Sequence, residues 1–358
     1  MTDVAKAAGV TQATVSYVLN ERGEISEPVI KRVLDAADQI GYIPNIVARN
    51  FKMSKSNIIG IIVPDVMNSY YDEVIKHTET ITREQGFFSF VCNAIHDPKL
   101  EEWYITSLIQ NKVAGVVIGY GLTNRECIQK LKRHNVPFVV LDDDLDENAT
   151  ETPCILMNNI KGSSLAVQHF VALGISDIAY ITEPIYNLAL KHRLEGFTQA
   201  IDQFGLLDPI IHIAESKGEY DIITQGYIGA GEVLSRGKPE GIFVSTDQMA
   251  LGVLKKLHEL GIRIPKDIAV IGYDDVALSS VVKPSLTTIK QPVATMCIQG
   301  TKLLLGIING SKDPVRKMIL EPSIVIRESA PSKPLWMVNT RQSVRASQPD
   351  AEKSIRLG

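Results

Sequence analysis

From Ile58 onward the chain repeats one pattern: a short, almost uninterrupted apolar run, then a stretch of helical periodicity. The runs are IIGIIV (58–63), FFSFVC (87–92), GVVIG (115–119), PFVVLD (137–142), DIAYIT (177–182), GIFVST (241–246) and IAVIGYD (268–274). A strand that is apolar on both of its faces belongs in a parallel sheet covered by helices above and below. The fold class expected is therefore α/β with parallel sheets. About 270 residues of this alternation are long for one sheet, which predicts two similar lobes.

Before about Lys52 the texture is different, with only short helical periods. Thr2 or Asp3 is placed to cap a helix running through Ala8, and Gly9 supplies a tight corner. Thr11 caps a second helix, whose Val15, Val18 and Leu19 make one apolar stripe. Ser26 caps a third, with Pro28 in its first turn and Gly41 as its stop. Ile30, Val33, Leu34 and Ala37 are its expected buried face. Helices this short share a small core, and such a unit is marginal alone. At the other end, the residues from Pro331 onward are polar and aperiodic and read as a disordered tail.

Composition narrows the function classes. At 45% hydrophobic and 22% charged, the 358-residue chain is not a disordered one. No apolar run reaches the roughly 18–20 residues of a membrane span, and no basic-then-apolar signal segment opens the chain, so a cytoplasmic protein with no membrane partner is expected. Cys92, Cys127, Cys154 and Cys297 lie far apart and read as buried free thiols. The seven histidines show no metal-ligand spacing. GxxxxGK[ST], HExxH and GxSxG are missing, and GYIGAG (226–231) has its glycines in the wrong order for a dinucleotide loop. Neither an enzyme nor a cofactor or metal is expected.

Net charge is −4, but unevenly spread: residues 1–57 carry seven Lys/Arg against six Asp/Glu, residues 58–330 carry 25 against 33, and residues 331–358 five against two. An acidic body with mildly basic ends is compatible with a partner touched at one end only.

The segment DVAKAAGVTQATVSYVLN (3–20) reads as helix, glycine corner, helix. Gln12, Ala13, Ser16 and Tyr17 lie on the outward side, short or flat groups suited to base edges and phosphates in a major groove. Periodicity alone leaves a generic three-helix packing module equally open. The residues themselves closely resemble the DNA-binding headpiece of the lactose/galactose-repressor family of bacterial transcription regulators. The resemblance continues through ISEPVIKRVLDAADQIGYIPNIVARNFK, IGIIVPDVMNSYY, KVAGVVI, STDQMALGV, IPKDIAVIGYDD and LTTIKQP, in the family's order over residues 2–328.

That resemblance implies a helix-turn-helix headpiece (1–44), a hinge helix and linker (45–57), and a two-lobed, periplasmic-binding-protein-like body for ligand binding and dimerisation (58–330), ahead of the polar tail (331–358). It puts Gln12, Ala13 and Tyr17 in base-reading slots, and Thr14 and Ser16 at phosphates. NIVARNFKMSKS (45–56) is similar to the hinge helix that orders in the operator's minor groove. Phe51 takes the place of the wedging leucine, and Arg49 and Lys52 line the groove. The implied function is a ligand-responsive transcriptional regulator, a repressor, bound as a homodimer to palindromic double-stranded operator DNA and controlled by a small sugar-like effector. The alternative is a solute-binding protein of the periplasmic type with no DNA-binding role.

In two-lobed parallel-sheet proteins small molecules bind where strand C-termini face each other. Asp65 follows the first strand and Asp142 the fourth, while Thr246-Asp247 and Asp274-Asp275 close two later ones. By resemblance Tyr70 and Tyr71 enter from the first lobe and Arg193, Tyr220, Thr246 and Asp274 from the second, with Gln291 at a crossover. An arginine fork and carboxylates grip adjacent hydroxyls and tyrosine rings stack on a sugar face, which suits a neutral sugar better than an anion. Asp247 reads as a helix cap, and Asp275 stays open between cap and contact.

Overall fold

The computed structural model describes residues 1–19, 25–42, 56–143, 152–215, 221–311 and 317–332. The chain divides between Asn57 and Ile58 into two compact units. Most of the segment expected as a hinge, and nearly all of the expected tail, lie outside the described residues.

In the first unit α1 (Thr2–Ala8) stops at Gly9, whose φ of 65° is a left-handed turn that glycine adopts at little cost. α2 (Gln12–Leu19) starts behind Thr11, whose hydroxyl accepts the Thr14 N–H at 3.1 Å. α3 (Glu27–Gln39) starts behind Ser26 with Pro28 in its first turn. Val4, Ala5, Ala8, Val15, Val18, Val33, Ala36 and Ala37 form the core. Such small side chains let helices approach closely but bury little apolar area.

Three details of this unit differ from expectation. Neither Thr2 nor Asp3 caps α1: both lie inside it, and the Met1 carbonyl already accepts the Ala5 N–H at 2.9 Å. Ser26 holds its cap position without a capping bond from its side chain. Leu34 is 49% exposed, because the buried stripe of α3 runs through Val33, Ala36 and Ala37 and Leu34 sits about 100° round from Val33.

The second unit holds two six-stranded sheets. The first contains β1 (Ile58–Val63), β2 (Phe88–Asn93), β3 (Gly115–Ile118), β4 (Phe138–Leu141), β5 (Cys154–Met157) and β11 (Lys317–Leu320). Its order is β11-β5-β4-β3-β1-β2. The second contains β6 (Ile178–Thr182), β7 (Ile210–Ile213), β8 (Gly241–Val244), β9 (Ala269–Asp274), β10 (Thr287–Lys290) and β12 (Ser323–Val325). Its order is β12-β10-β9-β8-β6-β7.

Alternate residues of each strand feed opposite faces. Ile59, Ile61 and Val63 join Val117, Val139 and Leu141 in one core, while Ile62 joins Val116, Ile118 and Val140 in the other. In the second lobe Ala179 and Ile181 point one way, and Ile178 and Tyr180 the other. The covering helices of the first lobe are α4 (Ser69–Glu84), α5 (Pro98–Gln110) and α6 (Glu126–Arg133). Those of the second are α7 (Asn159–Leu173), α8 (Leu188–Phe204), α9 (Ile222–Arg236) and α10 (Asp247–Glu259). α11 (Val293–Ile308) returns to the first lobe, packing on α4, β3, β4 and β5.

The lobes are therefore joined by crossings after β5, after β10 and after β11. Two of these are tied together: Asn158 Nδ2 donates to Glu321 Oε1 at 3.1 Å, and Lys161 Nζ lies 2.6 Å from Glu321 Oε2. Two expectations need correction. β10 pairs antiparallel with β12, so the second sheet is mixed. β2 is an edge strand that leaves Phe88, Phe90 and Val91 exposed rather than covered on both faces.

Candidate functional site

Strand ends of both lobes surround a cavity of about 340 Å³. The first lobe supplies Asp65 behind β1, Tyr70 and Tyr71 on α4, His96 past β2, Tyr120 past β3 and Asp142 past β4. The second supplies Glu183 past β6, Tyr186, Arg193 on α8, Thr246 and, at the end of β9, Asp274. Caps deliver several of these. Asn68 accepts the Tyr70 N–H at 3.0 Å and so starts α4 beneath the two tyrosines. Asn187 accepts the Leu190 N–H at 2.9 Å and starts α8, which carries Arg193 in its second turn. Ile95, His96, Asp142 and Asp274 all line the cavity at positive φ (43°, 53°, 53° and 120°), a conformation that costs energy for any residue with a Cβ and clusters at functional sites.

Arg193 is the centre of the charge arrangement. Its Nε donates to Asn159 Oδ1 at 3.0 Å and its Nη1 to the Ser245 carbonyl at 2.7 Å, and its guanidinium lies 3.8 Å over the Tyr273 ring. Asp142 of the first lobe is 3.7 Å from Nη2 and Asp274 of the second is 3.5 Å from Nη1. Both distances exceed a direct hydrogen bond, which leaves room for a ligand hydroxyl to bridge guanidinium and carboxylate. Burial pushes the Asp142 carboxyl up to about 6, against the pull of Arg193. Burial also raises Asp274 and Glu183. His96 is lowered by burial to about 4, so its imidazole is neutral at pH 7.

Of the residues expected at a ligand, Asp65, Tyr70, Tyr71, Asp142, Arg193, Thr246 and Asp274 line this cavity. Gln291 does not: it stands behind Asp274, donating to its Oδ1 at 2.7 Å. Tyr220 lies outside the described residues. Asp247 is not the cap of α10; Thr246 is, accepting the Met249 N–H at 3.4 Å. The Asp247 carboxylate is instead buried and accepts from the Val276 N–H, the Ser279 hydroxyl and the Thr288 hydroxyl (3.1, 2.6 and 2.6 Å). Asp275 pairs with Arg327 at 2.5 Å and Lys290 at 3.2 Å, away from the lining.

Sequence reasoning missed His96, Tyr120, Glu183 and Tyr186. Glu183 directly follows the run DIAYIT, so the strand-end rule applied to every strand would have found it. Asn159, which holds Arg193 from behind, carries no sequence signal.

The other candidate surface is the outer side of α2. Val15 and Val18 are buried, whereas Gln12, Ala13 and Tyr17 are exposed and Thr14 and Ser16 half-buried. Tyr17 is 54% exposed. Arg49, Phe51 and Lys52 lie outside the described residues. No helix among the described residues is long and apolar enough to cross a membrane.

Known proteins are similar to this chain in sequence and in fold. Residues 1–45 match the model of the bacterial regulatory proteins of the lacI family, and residues 167–330 that of a periplasmic binding protein-like domain. The transcriptional repressor PurR of Actinobacillus pleuropneumoniae is 31% identical over 91% of this chain and 97% of its own. The ribose operon repressor of Halalkalibacterium halodurans is 30% identical over 91% and 96%. Among solved structures, the lac repressor dimer bound to operator and the anti-inducer ONPF matches with a TM-score of 0.80 and 27% identity over 92% of this chain and 98% of that one. A ribose-bound lacI-family regulator from Enterococcus faecium matches with a TM-score of 0.69 and 28% identity over 77% and 100%.

Proposed function

Because the chain belongs to the lacI family of bacterial regulatory proteins, whose similar members are DNA-binding transcriptional regulators and not enzymes, we propose that it represses transcription as a homodimer on a palindromic operator. Each headpiece reads one half-site, and the two-fold axis of the dimer matches that of the DNA. Gln12, Ala13 and Tyr17 contact base edges, and Thr14 and Ser16 contact phosphates. Arg49, Phe51 and Lys52 act in the minor groove. A small hydroxyl-rich effector occupies the interlobe cavity, and the protein works in the cytoplasm, where its DNA is.

The observation that carries the effector half of this reading is the placing of Arg193 between Asp142 of one lobe and Asp274 of the other. A molecule whose hydroxyls bridge those groups touches both lobes at once, so it distinguishes a closed arrangement from an open one. Equal affinity for the two would shift nothing. Closure changes how the first lobes of a dimer present their headpieces, with a coupling of about 1–3 kcal/mol for such switches.

The test is binding of a fluorescent palindromic duplex while sugars and nucleobases are titrated in. The reading fails if no duplex is bound better than random DNA at moderate salt. Removing residues 1–57 separates it from a pure solute-binding role: specific DNA binding is lost while effector binding survives.

A further inference from the structure

The ionisable groups of the cavity lining are mostly acidic. Its described residues include four carboxylates, Asp65, Asp142, Glu183 and Asp274, against the single guanidinium of Arg193. Arg193 lies between Asp142 and Asp274 and spends two more donors on Asn159 and Ser245. Glu183 is 3% exposed, and its carboxylate is held only by hydroxyls: Tyr186 Oη at 2.5 Å and Thr246 Oγ1 at 3.1 Å. No cationic side chain among the described residues lies within ion-pair distance of it, and the Arg193 guanidinium acts on it only from farther off. A buried carboxylate left without a cation is costly unless it is protonated or a ligand supplies the charge.

Two further features favour the ligand. The rings of Tyr71 and Tyr186 line the same cavity, and both feel the Glu183 charge, so a cation beside that carboxylate also meets aromatic surface. Tyr70, 7% exposed and part of the same lining, has a hydroxyl with no hydrogen-bond partner among the described residues. A buried hydroxyl in that state is waiting for a polar atom.

We propose that the effector carries a protonated primary amine as well as hydroxyls, that is, an amino sugar, and that Glu183 receives its ammonium group. The hydroxyls bridge Arg193 to Asp142 and Asp274, and the amine joins Glu183 of the second lobe to Tyr71 of the first. This rests on the reading of the cavity as the effector site.

Full-length protein is assayed by thermal shift and calorimetry with D-glucosamine, D-galactosamine and D-mannosamine. Each is compared with its parent hexose, which keeps the size and lacks the charge, and with its N-acetyl derivative, which removes the charge but adds an acetyl group. At least one amine is expected to bind about tenfold or more tightly than both counterparts, and Glu183→Gln to bring that amine and its parent hexose to within about threefold of one another. If the variant does not fold, the comparison on the natural protein decides alone. A hexose or N-acetyl form that binds as tightly as its amine overturns the proposal and leaves the effector site standing. Absence of binding by any amine overturns it too. If neutral sugars and nucleobases also fail to bind, the effector reading falls with it.

Discussion

The side-chain carbonyl of Asn159 accepts the Nε–H of Arg193 at 3.0 Å. The same oxygen accepts the Tyr273 hydroxyl at 2.9 Å, and the amide nitrogen donates to Asp142 at 3.0 Å. One buried amide at the start of α7 therefore orients the cation of one lobe and the carboxylate of the other.

Replacing Asn159 by Ala leaves a buried guanidinium N–H and a tyrosine hydroxyl without acceptors. A loss of about 2–4 kcal/mol in stability of the body is expected, with effector affinity down about tenfold or more. Thermal unfolding and calorimetry check both. Unchanged affinity in a folded variant would show that Arg193 needs no support from behind.

Asp142 gives the body a pH signature. In the unfolded chain its carboxyl loses its proton near the ordinary 3.8, whereas burial holds the proton until about 6. Between those values the folded state binds more protons, so this group's contribution to stability falls as pH rises and stays at its worst above pH 6. Asp142→Asn removes the ionisation cost. The difference in unfolding free energy, variant minus natural protein, should grow from pH 4.5 to pH 7.5 by an amount of order 1–3 kcal/mol. A difference independent of pH would contradict this.

The headpiece core is thin enough to be broken by one residue. Val15 is fully buried among alanines and valines. Val15→Ala is expected to cost about 2 kcal/mol, a large share of what so small a unit has. Operator affinity should drop sharply while the melting of the body, followed by effector-dependent thermal shift, stays put.

Tyr17 separates reading from holding. Tyr17→Ala should lower the preference for operator over random duplex by about 1–3 kcal/mol. The slope of binding against salt should not change, since no phosphate contact is lost. A changed slope with intact preference would reassign Tyr17 to the backbone.

Much of this molecule is legible in its sequence because apolar density marks buried strands. IIGIIV coincides with β1, and DIAYIT, GIFVST and IAVIGYD each overlap a central strand of the second sheet. Of the strands not read from the sequence (β5, β7, β10, β11 and β12), β7, β11 and β12 lie at sheet edges, where partial exposure breaks the apolar run. In the cavity, Asp65, Asp142 and Asp274 stand at strand ends and are findable by rule. His96 is not, because it reaches the lining through a turn at positive φ. The Tyr186 ring is 4.2 Å from that of His96, a contact between lobes that no local pattern encodes.

The return of α11 to the first lobe has a consequence for synthesis. Met296, Cys297 and Leu304 complete a core otherwise built from residues 59–155, together with Val276 and Val293. On the ribosome that lobe stays open along one side until more than a hundred intervening residues have been made. The second lobe in turn waits for β12. Both therefore close at almost the same moment, when the stretch from 293 to 325 emerges. A message that stops short of it yields two unfinished halves rather than one sound lobe, so truncated products are expected to be cleared by proteases instead of lingering as partial competitors.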